Sequence, residues 1–333
     1  MIFSLKQYNM KKKTILICGA TGFIGRNVAE HFAKNSSFEV IGVYHQKPPF
    51  LHERIRWIQA DLTDPAQAST VLNGVDILIQ AAAVTSGVLT IFSNPESHIT
   101  DNVVMNSYLF RLANEKRLEH VVFFSCTIML QSSEHPIREQ DFDANEEMHP
   151  RYFGAGWTKV YLEKMCEFFS RIGSTKFSVI RHSNVYGPYD KFDIQRAHVL
   201  GATITKVMNS EDTVTIWGTG KETRDFIYVD DLVSMVRATI EKQVHKFSIY
   251  NCGSGLQVSI TELAKLIIAT SGKSLSLQYD LSKPSIPTNV YLDCTKANLD
   301  LEWTPKHSLN EGLKKTIEWW GRNSVADNNK AFE

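Results

Sequence analysis

The chain has little that would mark it for a specialised compartment or a charged partner. Its 36 basic residues are matched by 36 acidic ones, so no global field draws it to nucleic acid or to an anionic membrane. Five cysteines, Cys18, Cys126, Cys166, Cys252 and Cys294, are scattered with no C-x-x-C pair. That argues against a zinc site or a disulfide framework and for a reducing, cytoplasmic setting. No apolar run approaches membrane-spanning length, and the segment from Met1 to Met10 is too short and too polar to read as a signal peptide. Lys11, Lys12 and Lys13 form only a local basic run, expected to lead into the first strand. Internal repeats and low-complexity tracts are missing too. What remains is an ordinary globular composition, 333 residues with 43% hydrophobic content, which suits one large α/β unit or two closely joined domains.

Against that background one segment stands out. From Thr14 to Gly25 an apolar strand runs into a Gly-x-x-Gly-x-x-Gly turn at Gly19, Gly22 and Gly25. Gly19 permits a tight turn, Gly22 lets backbone approach a pyrophosphate, and Gly25 lets the next helix pack on its strand. That helix, expected over about 23–33, points its N–H groups and positive dipole end at the anion. A dinucleotide is therefore expected here, with Thr21, Phe23 and Ile24 among its contacts.

Strand-like runs at 14–18, 38–44, 56–60, 76–80, 120–125 and 177–181 alternate with helical stretches, which implies right-handed crossovers and a parallel sheet. The nearly continuous apolar strands suggest helices on both faces, a doubly wound Rossmann-type α/β fold. After Tyr186-Gly187-Pro188 the segments shorten: helices near 197–208, 230–242, 259–270 and 309–320, and a strand near 214–217. The expected division is a dinucleotide-binding domain over 10–185, with later returns near 225–252, and a smaller α/β substrate domain over 186–333.

Further candidates follow the strands. Asp61-Leu62 closes the third, where the carboxylate could accept from an adenine amino group or cap the helix that opens at Asp64-Pro65. Ala81, Ala82 and Ala83 follow the fourth, small enough for backbone to lie against a ribose or simply to pack closely.

Together with Asn102, Phe124-Ser125-Cys126-Thr127, Lys159, the run Arg181–Pro188, and Trp217-Gly218-Thr219-Gly220 leading into Arg224–Asp231, these motifs span nearly the whole chain. The chain resembles the extended short-chain dehydrogenase/reductase family of nucleotide-sugar epimerases, dehydratases and reductases. The run from Asn184 to Phe192 and the His198-Val199 pair look most like its GDP-fucose synthase group. The resemblance implies a Tyr-x-x-x-Lys pair on a helix and a Ser or Thr after the fifth strand, positions matched by Lys159 and Thr127. It implies cofactor contacts from Asn102, Lys159 and His182, and substrate contacts from Thr85, Ser86, Thr127, Tyr152, Asn184, His198 and Arg224, the last on the diphosphate of a sugar nucleotide, GDP favoured. It also implies a homodimer built on helices near 95–116 and 152–170.

The tyrosine is missing. Ala155 occupies the position four before Lys159, and an alanine has no proton to move. An engineered replacement fits the otherwise intact surroundings; Tyr152, one helical turn earlier, could take over the role; or the chain is a non-catalytic binding protein or redox-sensing scaffold. The reaction is narrowed by what else is absent. The resemblance implies an Asp-Glu pair after the Thr for dehydration, where this chain has Ile128-Met129. It implies a cysteine and histidine for epimerisation beside a ketone, where Met129 fills the cysteine position and His198 matches the histidine. Cys126 is expected to face the core. What is left is 4-keto reduction or 4-epimerisation by hydride transfer. The second strand ends in Tyr44-His45-Gln46-Lys47 with no carboxylate for a ribose 2′-hydroxyl, and with Arg26 also near, NADP is favoured over NAD.

Overall fold

The structure, a computed structural model, describes residues 12–85 and 88–330, with side chains through residue 323 except at Val88. Met10 as a candidate start, Lys11 and Ser86 lie outside the described residues. The strands are β1 Lys13–Cys18, β2 Phe38–Tyr44, β3 Ile55–Gln59, β4 Ile77–Gln80, β5 His120–Cys126, β6 Lys176–His182, β7 Asn184–Tyr186, β8 Thr213–Trp217, β9 Thr223–Arg224, β10 Phe226–Tyr228, β11 Phe247–Cys252, β12 Val258–Ser259, β13 Ser276–Asp280 and β14 Asn289–Val290. The α-helices are α1 Phe23–Ala33, α2 Pro65–Val71, α3 Val88–Ser93, α4 Thr100–Glu115, α5 Phe153–Ile172, α6 Val199–Asn209, α7 Val229–Lys242, α8 Ile260–Ser271, α9 Thr295–Leu301 and α10 Leu309–Lys330.

Seven strands form one parallel sheet in the order β11-β6-β5-β4-β1-β2-β3. β1 shows why. Its residues alternate between faces, and both faces are dry: Ile15 and Ile17 join one core with Val28 and Phe32 of α1, while Leu16 and Cys18 join the other with Leu109 and Phe110 of α4. The strand order reverses between β1 and β4, which opens a crevice at the C-terminal ends of the strands, where ligands of such sheets bind. Doubly wound architecture thus accords with the sequence expectation.

The smaller elements form sheets of their own outside the seven-stranded one. β7 pairs with β10, β8 with β13, and β9 sits between β12 and β14. A third cluster, Met129, Leu130, Ile137, Met148, Val290 and Leu292, packs the segment after β5 against β14. Two expectations need correction. A loop is expected from the sequence around Thr85–Phe92; within it the chain forms the short helix α3 from residue 88. Tyr152 is not on the α5 helix one turn before Ala155: it closes a 3-10 turn over Pro150–Tyr152 and is the N-cap of α5. Pro150 opens that turn and the His149 ring accepts from the Arg151 N–H, so the local chain is capped before the α-helix begins.

Candidate active site

The glycine turn is built as a cradle. Gly19 has φ +69°, which favours glycine, and a Cβ there would stand 2.7 Å from Ala82 Cα. A Cβ on Gly25 would stand 2.1 Å from the Gly19 carbonyl oxygen, so α1 lies directly on the turn. Gly22 is the N-cap of α1 with no side-chain cap, and no acidic residue occupies the first turn. The leading N–H groups are left for an anion, and the residues fit a dinucleotide pyrophosphate. Thr21 is buried, while Phe23 and Ile24 pack partly onto the core.

The flanking candidates divide. Ala81 and Ala82 are the surface on which Gly19 packs, and Ala83 is exposed. Asn102 receives the Val84 N–H and donates to the Val84 and His98 carbonyls, at 3.0, 3.0 and 2.8 Å. Its amide therefore laces the loop after β4 to α4. Asp64, not Asp61, caps α2, accepting from the Ala66 and Gln67 N–H groups. Asp61 accepts from Thr63 N–H and Oγ1–H on one oxygen, and those bonds hold its pKa below the usual value. Its other oxygen lies 3.9 Å from His45 Nε2, at the shared edge of β2 and β3. Leu62 is a core residue, and Lys47 is exposed. Arg26 is committed elsewhere: its guanidinium lies between the Phe50 and Tyr189 rings, at 4.1 and 3.8 Å, and pairs with Glu30 at 2.9 Å.

At the other end of the crevice, Lys159 Nζ donates to the Phe124 carbonyl at 2.9 Å, leaving further N–H donors. Thr127 is half-buried, and its hydroxyl makes no hydrogen bond among the described residues. The segment it opens rests on the first turn of α5, since a Cβ on Gly156 would meet Met129 Cα at 3.4 Å and the Ile128 carbonyl at 3.6 Å. Ala155 sits beside that contact, half-buried. Met129 is fully buried in the third cluster and reaches no substrate. Cys126 is half-buried rather than sealed in the core; burial raises its thiol pKa, while Lys159 and the Ile128 N–H pull it down. His182 gives Nδ1 to the Ser183 carbonyl at 2.8 Å, and burial lowers its pKa to about 4, with Lys159 and His198 adding to the effect.

A cleft beyond this point is lined by Tyr152, Asn184, His198, Trp217, Glu222 and Arg224, among others. Arg224 makes no ion pair with Asp225 or Asp230. Its NH1 and NH2 groups donate to the carbonyls of Thr223, Thr288 and Ile286 at 2.7, 2.5 and 2.6 Å. Asp225 instead accepts from Ser254, Gly255 and Leu292 N–H groups. Asn184 donates from Nδ2 to the Asp225 carbonyl at 3.0 Å. Burial raises the Tyr152 pKa, and the cation that opposes it is Arg224. His198 is the N-cap of α6, open to the cleft; the protein mass around it, with Lys191 and His98, lowers its pKa. Lys191 Nζ donates to the Thr85 carbonyl at 2.7 Å and ties the two loops that flank the cleft. Sequence reasoning passed over Glu222, Lys206 and Ser285, which line the same cleft; the Trp217–Gly220 motif beside them was the available signal. Among the described residues no group of three or more His, Cys, Asp and Glu side chains could hold a metal, and no helix is long and apolar enough to cross a membrane.

Known proteins resemble this chain over nearly its whole length. A GDP-L-fucose synthase of Sinorhizobium fredii is 28% identical over 97% of this chain and 100% of its own length. A GDP-L-colitose synthase of Yersinia pseudotuberculosis is 26% identical over 92% of this chain and 97% of its own. The UDP-glucose 4-epimerase of Thermotoga maritima, solved with UDP-glucose, superposes with a TM-score of 0.83 at 25% identity, covering 93% of this chain and 99% of that one. Residues 15–253 match the model of the NAD dependent epimerase/dehydratase family, and the chain belongs to that family.

Proposed function

We propose that the chain binds a nicotinamide dinucleotide, NADP in preference to NAD, together with a nucleoside-diphosphate sugar, GDP favoured. The reaction is reduction of a 4-keto sugar or epimerisation at carbon 4, held at low rate by Ala155. One observation carries this reading: a cleft lined by Tyr152, Asn184, His198 and Arg224 lies in the same chain as an uncapped glycine turn built for an anion and as Lys159, which is bonded to the end of β5 that Thr127 follows. The cofactor, when bound, would accept or donate hydride at the reacting carbon. Gly19, Gly22 and Gly25 would hold its pyrophosphate, Asp61 its adenine end, and His182 and Lys159 its nicotinamide end. Thr127 can donate its free hydroxyl to the sugar oxygen and fix its orientation. Lys159 supplies positive charge beside that oxygen. Between them the proton-transferring group is absent, because Ala155 carries none.

Two supports are electrostatic. His45 and Lys47 lie at the end of β2 with no carboxylate among them, which suits a 2′-phosphate. Arg224, half-buried in the cleft wall, places a cation there, which suits a diphosphate. Exposed apolar residues along α5, Tyr161, Phe168 and Ile172, support a homodimer through this helix. Residues 186–333 are proposed to carry the substrate and 10–185 the cofactor. A non-catalytic binding role remains a second reading, and the observation favouring it is Ala155.

Calorimetry tests the site. Arg224→Ala should weaken GDP and UDP alike by about tenfold or more, the worth of a charge-assisted pair, while NADP affinity holds. Unchanged nucleoside-diphosphate affinity in that variant would remove the diphosphate reading. In the same measurement the parent should bind NADP more tightly than NAD, and equal affinities would remove the cofactor preference.

A further inference from the structure

We propose that Glu222 reads the base of the bound nucleotide and selects guanine over uracil, thymine and adenine; this rests on the sugar-nucleotide reading of the cleft. Glu222 is half-buried in the cleft wall, in the turn between Gly220 and β9. Among the described residues it makes no ion pair, and its carboxylate meets only the Thr219 hydroxyl, at 3.5 Å. Arg224, a cation within its influence, has turned NH1 and NH2 onto three carbonyls. A carboxylate so placed has most of its acceptor capacity unspent, and a ligand that fills the cleft must supply N–H groups or leave it desolvated.

The surroundings define what can supply them. Gly218 has φ +73° and contributes no side chain; a Cβ there would stand 2.5 Å from Ser285 Oγ and 3.5 Å from Glu222 Oε1. Ser285 therefore packs directly on Gly218, and its side chain and the Glu222 carboxylate line the same cleft beside the half-buried Trp217. Guanine presents two adjacent donors, N1–H and N2–H, next to the O6 acceptor. The two donors match a carboxylate as a bidentate pair, and O6 can accept from Ser285. Uracil and thymine present one N–H between two carbonyl oxygens, both of which face the carboxylate unfavourably. Adenine offers one N–H beside a lone pair. A binding site that carried only Arg224 would hold any nucleoside diphosphate, whereas a second, anionic group near it costs diphosphate affinity unless the base repays it.

The test is calorimetry of GDP, UDP, dTDP and ADP with the parent, Glu222→Gln and Glu222→Ala, with circular dichroism to confirm folding. The parent should bind GDP about tenfold or more tighter than the other three, and both substitutions should reduce that advantage by about tenfold with UDP affinity held or improved. Equal affinity for all four nucleotides in the parent overturns the role of Glu222 and leaves the site reading standing. An equal change for all four in the variants overturns it as well, because Glu222 then acts on the diphosphate alone. Failure of the parent to bind any of them overturns the inference and the site reading together.

Discussion

Ala155→Tyr is expected to raise turnover with a nucleoside-diphosphate sugar by about 10²- to 10⁴-fold, the usual contribution of a positioned general acid/base. Position 155 lies in the first turn of α5, half-buried, beside the segment that Thr127 opens. Lys159 follows one turn later on the same helix face, with donors to spare beyond its bond to Phe124. Its charge would favour the phenolate and draw the installed phenol down from about 10, so turnover in the oxidative direction should rise with pH to a plateau. The parent, with no such group, should show no matching limb. Single-turnover nicotinamide absorbance with a panel of sugar nucleotides measures both. Tyr152→Phe should act chiefly on KM, as loss of a cleft contact, and should leave the gain from Ala155→Tyr in place. Burial raises the Tyr152 pKa and its opposing cation is Arg224, so Tyr152 is poorly set to act as a base. If Ala155→Tyr stays inert while cofactor and sugar nucleotide both bind, the non-catalytic reading takes over. If the gain disappears with Tyr152→Phe, the phenol at 152 carries the proton.

What the sequence disclosed follows from how each feature is encoded. β1, β2, β4, β5 and β6 are largely dry on both faces and read as apolar runs whatever their partners; β3, at the sheet edge, exposes Arg56 and Gln59, and even so the strand ends fell within a residue or two. The glycine turn is encoded locally, by backbone conformations and close approaches that only Gly19 and Gly25 permit. β11 was harder to see, because Ser248 and Asn251 interrupt it: Asn251 is spent on the Ile137 and Asp293 carbonyls, bonds to segments 114 and 42 residues away. The two-residue strands β9, β12 and β14 carry no period at all. The cleft is where local reading failed most. Gly218 and Glu222 lie close in sequence, but Ser285 reaches them only because β13 pairs with β8 and carries the chain around. Tyr152 was misplaced for a local reason, since His149 and Pro150 cap the chain before α5 starts. Asn102 was legible as a site residue, yet its amide is consumed by the loop it holds.

Glu163→Ala is expected to cost about 3–5 kcal/mol of stability, because it strands a buried guanidinium. Glu163 and Arg181 are each 4% exposed, joined at 2.6 Å from NH2 to Oε2, with Nε reaching both carboxylate oxygens at 3.0 and 3.2 Å. Ser125 Oγ–H adds a bond to Oε1 at 2.6 Å, and Arg181 NH1 donates to the Glu139 carbonyl at 2.9 Å. One carboxylate therefore ties α5 to β5 and β6 at once. Glu163 lies four residues after Lys159 and eight after Ala155, so the same helix face that is pinned here carries the catalytic positions. The loss should appear in urea unfolding as a lower midpoint at unchanged slope. Replacing both partners together, Glu163→Leu with Arg181→Met, should recover most of it, since an apolar pair leaves no charge unsatisfied. The double variant should still place Lys159 less well, so its turnover in the Ala155→Tyr background should remain below that of Ala155→Tyr alone even where its midpoint is restored. A loss from Glu163→Ala no larger than the roughly 0.5 kcal/mol of a surface substitution would show that α5 is held by packing of Leu162 and Cys166 instead.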